Sequence, residues 1–256
     1  MRKALKSTYI GLILVFLYSP IAVMIILSFN ASKSRAKWGG FTFDWYARLF
    51  QRSDILQALW VTLSCAAIAT VFATIIGTAA AIGMQGMKKR PAAILTKLSY
   101  LPMTTPDIVT GVSLMLMFVF VNVPLGYVTM LMAHIAFDTP YVLFSVLPKL
   151  RQTDDNLYEA ALDLGCTPMQ AVNKVILPEI MPAVITGALL AFTMSLDDFV
   201  ISYFTSYTDQ NLSMVIYSAA RKGIEPSIYA LSTLMFVSVL ALLLIVNKRS
   251  SLENVS

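Results

Sequence analysis

Charge is scarce in this chain: 13% of its 256 residues are Asp, Glu, Lys or Arg, against roughly 25% in soluble domains. That excludes an ordinary water-facing globule. Cysteine is scarcer still, with Cys65 inside an apolar run and Cys166 in a polar loop, which is neither the number nor the setting of a disulfide framework or a metal site. Both read as packing residues. His134 is the single histidine, and the chain has no G-x-S-x-G elbow, no H-E-x-x-H pair and no Walker A loop. A hydrolase, a zinc protease or an ATP-hydrolysing centre within this chain therefore lacks its parts, and the chain is not expected to be an enzyme. The formal net charge is +5, but no Lys or Arg falls inside the long apolar runs. A basic nucleic-acid face would interleave them differently, so nucleic acid is not an expected partner.

What the chain has in abundance is apolar surface: 57% of residues are hydrophobic and the mean hydropathy is +0.72. Charge-free stretches run over 7–32, 55–87 and 227–247. A membrane-crossing helix needs about 20 apolar residues, which leaves room for six, over about 8–29, 57–84, 107–123, 125–147, 181–205 and 228–247. The fold class expected is an all-α integral membrane protein in the lipid bilayer, 1–256 forming one transmembrane domain. Arg2, Lys3 and Lys6 ahead of an apolar run also describe a secretory signal. Here the run 8–29 is 22 residues long, more than the roughly 7–15 of a signal core, and no good cleavage site follows it, so it reads as a retained span. With both termini inside, twelve of the nineteen Lys and Arg lie inside and seven outside. Cytoplasmic termini follow from that bias, although Lys33, Arg35 and Lys37 argue the other way. In the loop 30–56, aromatic residues over 41–50 suggest an amphipathic helix lying at the interface.

The one long polar insertion between later spans runs from Pro148 to Glu179, and its local chemistry specifies a helical hairpin over about 153–178, on the cytoplasmic side in the orientation expected. Asp154 or Asp155 can cap a helix running to Leu164, with Leu157, Ala161 and Leu164 on one face and Gly165 at the left-handed position that ends it. Thr167, Pro168 and Gln170 form a capping box with proline at the first helical position, and Pro178 stops the second helix. A loop so well specified is built to dock on something.

Asp107, Asp138, Asp197 and Asp198, four of fourteen carboxylates, lie at or near membrane depth with no Lys or Arg beside them. Asp at a helix centre costs about 2.5–3.5 kcal/mol, so such residues point to function and to a cationic cargo. Asp107 reads either as a helix-start carboxylate after a Thr105 cap and Pro106, or as path lining, and the two are compatible. Asp138 reads as a partner for His134 or for backbone freed near Pro140. Gly187, Ala191, Ser195, Asp198 and Ser202 form one small and polar stripe on the fifth span, which is a path lining or, alternatively, a close helix-packing face. Asp197 points about 100° away from it. Asp198 and then Asp107 are the leading cargo contacts, with Ser195, Ser202 and Asp197 behind them. Phe118, Tyr141, Tyr203 and Phe204 are available as walls but are assigned no role.

Residues 159–165 (EAALDLG) followed by 175–178 (VILP) resemble the EAA motif of ABC importer permeases, with Val175 in place of the usual Ile. The stretches 28–30 (SFN), 40–46 (GFTFDWY), 106–108 (PDI) and 195–198 (SLDD) extend the likeness along nearly the whole chain, which resembles the permease subunits of spermidine/putrescine ABC importers. The resemblance implies the type I, MetI-like six-helix importer permease fold in a bacterial inner membrane. It implies a hairpin seated on a separate ATPase through Glu159, Ala160, Ala161, Gly165, Leu177 and Pro178. It also implies a homologous second permease, two ATPase copies and an extracytoplasmic polyamine-binding protein, with no cofactor of the chain's own because ATP and Mg are used by the ATPase. The alternative is a permease for thiamine, iron or another small nutrient, and more distantly a stand-alone channel or structural membrane protein.

Overall fold

The computed structural model describes residues 2–34, 36–154, 156–222 and 225–253. Asp155 and Arg35 fall outside the described residues, as do the side chains of Arg2, Lys3, Lys6, Lys248 and Arg249. The order is α1 Arg2–Ser28, α2 Asp44–Leu49, α3 Ser53–Gln85, α4 Lys89–Thr104, α5 Asp107–Phe120, α6 Tyr127–Gln152, α7 Asn156–Asp163 and α8 Pro168–Ala171. A π-helical segment, Val172–Ile176, leads into α9 Leu177–Asp197, followed by α10 Val200–Thr205, α11 Leu212–Lys222 and α12 Pro226–Glu253. The one β pairing among the described residues is an isolated bridge between Asn30 and Phe41. A helix satisfies its own backbone donors and acceptors, which is what a lipid setting requires.

Among the described residues, four helical segments are long and apolar enough to cross a membrane: Ser7–Ser28, Ser53–Gln85, Tyr127–Gln152 and Pro168–Asp197. A fifth is reached if α4 and α5, bent by 107°, count as one span, and Pro226–Ala241 is a shorter apolar helix. The expected span 107–123 is thus the second limb of a bent pair whose first limb, α4, the apolar pattern did not announce. The bend has a local cause. Thr105 is extended (φ −81°, ψ 138°), because a residue before proline is pushed out of the helical region. Thr105 is not the helix cap expected of it: its hydroxyl donates back to the Leu101 carbonyl at 2.7 Å, and Pro106 takes the N-cap position of α5.

The chain divides into two compact units, Met1–Leu56 with Ile216–Ser256, and Gln57–Val215. In the first, α12 packs against α1 and α2. Asn30 organises the turn after α1, accepting from the Gly39 N–H at 2.8 Å and donating to the Lys37 carbonyl at 2.9 Å, while its own carbonyl receives the Trp45 indole N–H at 2.7 Å. The interfacial helix expected over 41–50 is shorter than that. The bridge to Asn30 keeps Phe41 extended, and Thr42 Oγ1 accepts the Asp44 N–H at 3.1 Å, so α2 begins at Asp44. Phe29, Phe41, Phe43 and Tyr46 form an aromatic cluster around it.

In the second unit α6 is the central helix. A Cβ on Gly77 of α3 would lie 2.8 Å from Val142 Cβ, and one on Gly187 of α9 would lie 3.1 Å from Val142 Cα and Ser145 Cβ. Small residues on α3 and α9 let both helices approach α6 closely, and Val142, Leu143, Val146, Ile180 and Val184 fill the core between them.

Two expectations about α9 need correction. Pro178 does not stop a helix, because the π-turn ahead of it, in which the Leu177 N–H reaches back to the Val172 carbonyl, widens the backbone where the proline ring would clash with the preceding turn. The span expected over 181–205 is also not continuous: α9 ends at Asp197, Asp198 is extended (φ −61°, ψ 124°), and α10 starts at Val200.

Candidate functional site: a buried polar knot and an exposed hairpin

The break after α9 is the centre of the site. A helix start leaves its first N–H groups without partners. Here Asp198 supplies them, its Oδ1 accepting from the Ile201 N–H at 3.2 Å and its Oδ2 from the Ser202 N–H at 2.8 Å and the Ser202 hydroxyl at 2.9 Å. The carboxylate thus caps α10, where the helix dipole favours negative charge. On the other side of the break the Asp198 carbonyl accepts from Asn211 Nδ2 at 2.7 Å, and the same amide donates to Ser202 Oγ at 2.8 Å.

His134 of α6 closes the knot. Its Nδ1 lies 2.6 Å from Ser195 Oγ on α9, and its Nε2 lies 2.9 Å from Ser202 Oγ on α10 and 3.4 Å from Asp198 Oδ2. The ring therefore bridges both sides of the break. His134, Ser195, Ser202 and Asn211 are each no more than 2% exposed. Such a group is favourable only when its members satisfy one another, and here they do. Asp138, one turn further along α6, is the exception. It is fully buried, and among the described residues neither oxygen has a hydrogen-bond partner. It is not the hydrogen-bonded partner of His134 expected from spacing, because both ring nitrogens are taken by serines.

The small and polar stripe divides by its surroundings. Gly187 and Ala191 are buried in the packing of α9 on α6, whereas Ser195, Asp198 and Ser202 join the His134 knot. Asp197 ends α9 exposed, its backbone carbonyl accepting from Ser213 Oγ at 3.2 Å. Asp107 is the exposed first residue of α5. One turn on, Gly111 packs against α10, where an added Cβ would lie 3.1 Å from Phe204, so the helix that begins at Asp107 runs beside the one that Asp198 caps. Asn211 was not singled out from the sequence. It lies 13 positions from Asp198, and no local pattern joins the two.

The second part of the site is the hairpin of α7 and α8. Gly165 has φ +88°, the Gly165 N–H bonds the Leu162 carbonyl at 2.9 Å, and the Cys166 N–H bonds the Ala161 carbonyl at 3.0 Å, a glycine-terminated helix end. Thr167 and Gln170 make the reciprocal capping box, with Thr167 N–H to Gln170 Oε1 at 3.0 Å and Gln170 N–H to Thr167 Oγ1 at 3.4 Å. Asp154 Oδ1 accepts the Asn156 N–H at 3.0 Å at the start of α7. The face expected to unite Leu157, Ala161 and Leu164 is split. Ala161 is buried, while Leu164 is 87% exposed and Leu157 and Met169 are also exposed, because α7 ends at Asp163 and the chain turns before Leu164 can face inward. Glu159, Ala160, Gly165 and Pro178 are exposed and Leu177 is half-buried. Lys149 and Glu179 pair at 2.8 Å across the base, and a cavity of about 460 Å³ lined by Ile82, Leu150, Tyr158 and Ile176 lies beneath.

Residues 73–248 match the family model described as the binding-protein-dependent transport system inner membrane component. The chain is 36% identical over 242 residues, 94% of either chain, to the spermidine/putrescine transport system permease protein PotC of Haemophilus influenzae. It is 38% identical to the putrescine transport system permease protein PotI of Escherichia coli K12, over 88% of this chain and 83% of that one. Among solved structures it resembles a chain of a bacterial ABC transporter that imports the acidic polysaccharide alginate, with TM-score 0.74 and 18% identity over 97% of this chain and 94% of that one. A chain of the MetNI methionine ABC transporter matches with TM-score 0.62 and 19% identity over 79% and 96%. The fold is that of an ABC importer permease, and the chain belongs to the family of binding-protein-dependent transport system inner membrane components.

Proposed function

We propose that this chain is a permease subunit of an ATP-driven polyamine importer, with spermidine or putrescine as cargo. It would form the translocation path with a homologous second permease, take substrate from an extracytoplasmic binding protein, and be driven by two copies of a separate ATPase. The observation that carries the cargo reading is the carboxylate at the helix break. Asp198 sits where α9 gives way to α10, and no Lys or Arg lies in α5, α9 or α10. Broken helices with capped ends are the elements around which transporters bind ions and substrates. Acidic groups with no Lys or Arg among these helices suit a guest that carries ammonium groups, and the names of the relatives, a spermidine/putrescine and a putrescine permease, agree with that chemistry. An anionic cargo would call for positive groups at the same depth.

In this reading Asp198 and Asp107 are the main cargo contacts, with Ser195, Ser202 and Asp197 at the edges, and cargo binding is weak enough for release. Glu159, Ala160, Ala161, Gly165, Leu177 and Pro178 form the coupling element toward the ATPase, and both termini face the cytoplasm. The exposed Leu157, Leu164 and Met169 supply apolar knobs for a groove on that partner. A rigid hairpin transmits a rotation that a flexible loop would absorb. The test is uptake of labelled spermidine and putrescine by cells that lack their own polyamine uptake and express the complete importer. Asp198→Asn combined with Asp107→Asn is expected to abolish uptake while the ATPase still copurifies. Unchanged uptake by a normally assembled double variant would overturn the cargo assignment, and competition by thiamine in place of polyamines would redirect it.

A further inference from the structure

The knot leaves one buried group without a part to play. Asp138 is fully buried in α6, between Phe137, 5% exposed, and the buried Pro140, and among the described residues both carboxyl oxygens lack a partner. A bare carboxylate in such a place is strongly unfavourable. Intramembrane acids pair with something in the state in which they are charged. His134 is the one side chain of the knot that can become a cation, and it stands at the i−4 position on the same helix, where side chains are neighbours at about 5–6 Å between Cβ atoms. In this structure the ring is turned toward Ser195, Ser202 and Asp198 instead. The helix therefore holds one imidazole between two carboxyls, occupied by one and free of the other.

We propose that Asp138 is the alternative seat of His134, taken when a cationic group of the cargo occupies Asp198. The inference rests on the reading of Asp198 as a cargo contact. A cation arriving at Asp198 meets a carboxylate already engaged by the neutral ring of His134, whose N–H edge, left in place, would point the positive end of its dipole at the guest. A change of side-chain rotamer at His134 moves the ring between two partners without moving backbone. The hydrogen bonds from the ring to Ser195 and Ser202 break, and one from a ring N–H to Asp138 forms. As it forms, the proton that had kept the Asp138 carboxyl neutral passes to the unprotonated nitrogen of the ring, giving a carboxylate and an imidazolium, so the proton count of the pair is unchanged. Because the ring also bridges α9 and α10 across the break, its departure frees the angle between them at the moment the cargo is bound. Asp138 is thus a positioning residue: it acts on the cargo through His134 and does not touch it.

The experiment measures uptake kinetics of labelled spermidine by the assembled importer carrying Asp138→Asn, Asp138→Glu, His134→Gln, Asp138→Asn with His134→Gln, or Asp198→Asn, together with ATPase copurification and thermal midpoint. Asn matches the shape of an uncharged carboxyl, so a merely structural Asp138 would leave KM unchanged. The expected result is normal assembly of Asp138→Asn, a KM raised at least tenfold with maximal rate within twofold, partial recovery in Asp138→Glu, and a double variant no worse than the poorer single one. A normally assembled Asp138→Asn with KM within twofold of the parent overturns the proposal, as does additivity in the double variant. Failure of Asp138→Asn to assemble overturns it too, since the carboxyl then has a structural role that the proposal denies. If Asp198→Asn leaves KM unchanged, the cargo reading itself fails. If Asp198→Asn raises KM and Asp138→Asn does not, only the present inference falls.

Discussion

Gly165 offers the sharpest separation between a residue needed for its backbone and one needed for a contact. Its φ is +88°, and a Cβ built on it would meet no atom within 4 Å. A substitution there is charged nothing for space within this chain, and the whole penalty is conformational. For an L-residue the left-handed region costs about 1–2 kcal/mol, a factor of about 5–30 in the equilibrium between the closed hairpin and an open one. Gly165→Ala is expected to reduce hydrogen-exchange protection over 156–171 by that factor, Gly165→Val by more, and Gly165→Asn by less, because Asn tolerates this conformation. Uptake per ATP hydrolysed should fall in the same order while the membrane spans keep their protection. If Gly165→Val left hairpin protection at the parental level and uptake still collapsed, backbone strain would not be the cause and the argument from φ would fail.

Other variants test the packing. Gly77→Ala would bring a Cβ to 2.8 Å from Val142 Cβ and 2.9 Å from the Thr139 carbonyl, an overpacking expected to cost about 1–3 kcal/mol and to lower the thermal midpoint of the purified assembly, whereas Gly83→Ala on the same helix meets nothing within 4 Å and should not lower it. Trp45→Phe keeps the ring but orphans the Asn30 carbonyl, for an expected loss of about 1–3 kcal/mol, read as faster exchange and proteolysis in the 30–45 loop. Asn211→Ala removes two donors from the knot and should destabilise by a similar amount, with the helix break exchanging faster in a hydrogen-exchange map; an unchanged map would show that the amide does not hold the break.

The capping of the hairpin was readable from neighbouring residues because caps are local: Gly165, Thr167, Pro168 and Gln170 interact within a few positions of one another. The apolar segments were readable because a bilayer accepts only long runs without charge. Helix α4 was missed since it carries Lys89, Arg90 and Lys97 and its apolar content is low. The shortness of α2 was missed because its start depends on Asn30, which lies outside the aromatic stretch. Pro178 was misread as a stop because the π-turn that accommodates it is a backbone adjustment with no residue signature of its own.

The chain's residues alone determined that it is a membrane protein built of helices, that it carries a capped helical hairpin between two of them, and that four carboxylates fall in or beside its apolar segments with no Lys or Arg among them, since each of these follows from hydropathy, capping or charge counted along the chain. Only the tertiary structure decided that the fifth apolar segment breaks at Asp198, that His134 spans the break, that Asn211 secures it and that Asp138 is left alone. Those outcomes depend on groups brought together from α6, α9, α10 and the residue before α11, joined by hydrogen bonds that span as many as 68 positions, and a hydrogen bond across that separation exists only once the helices have packed.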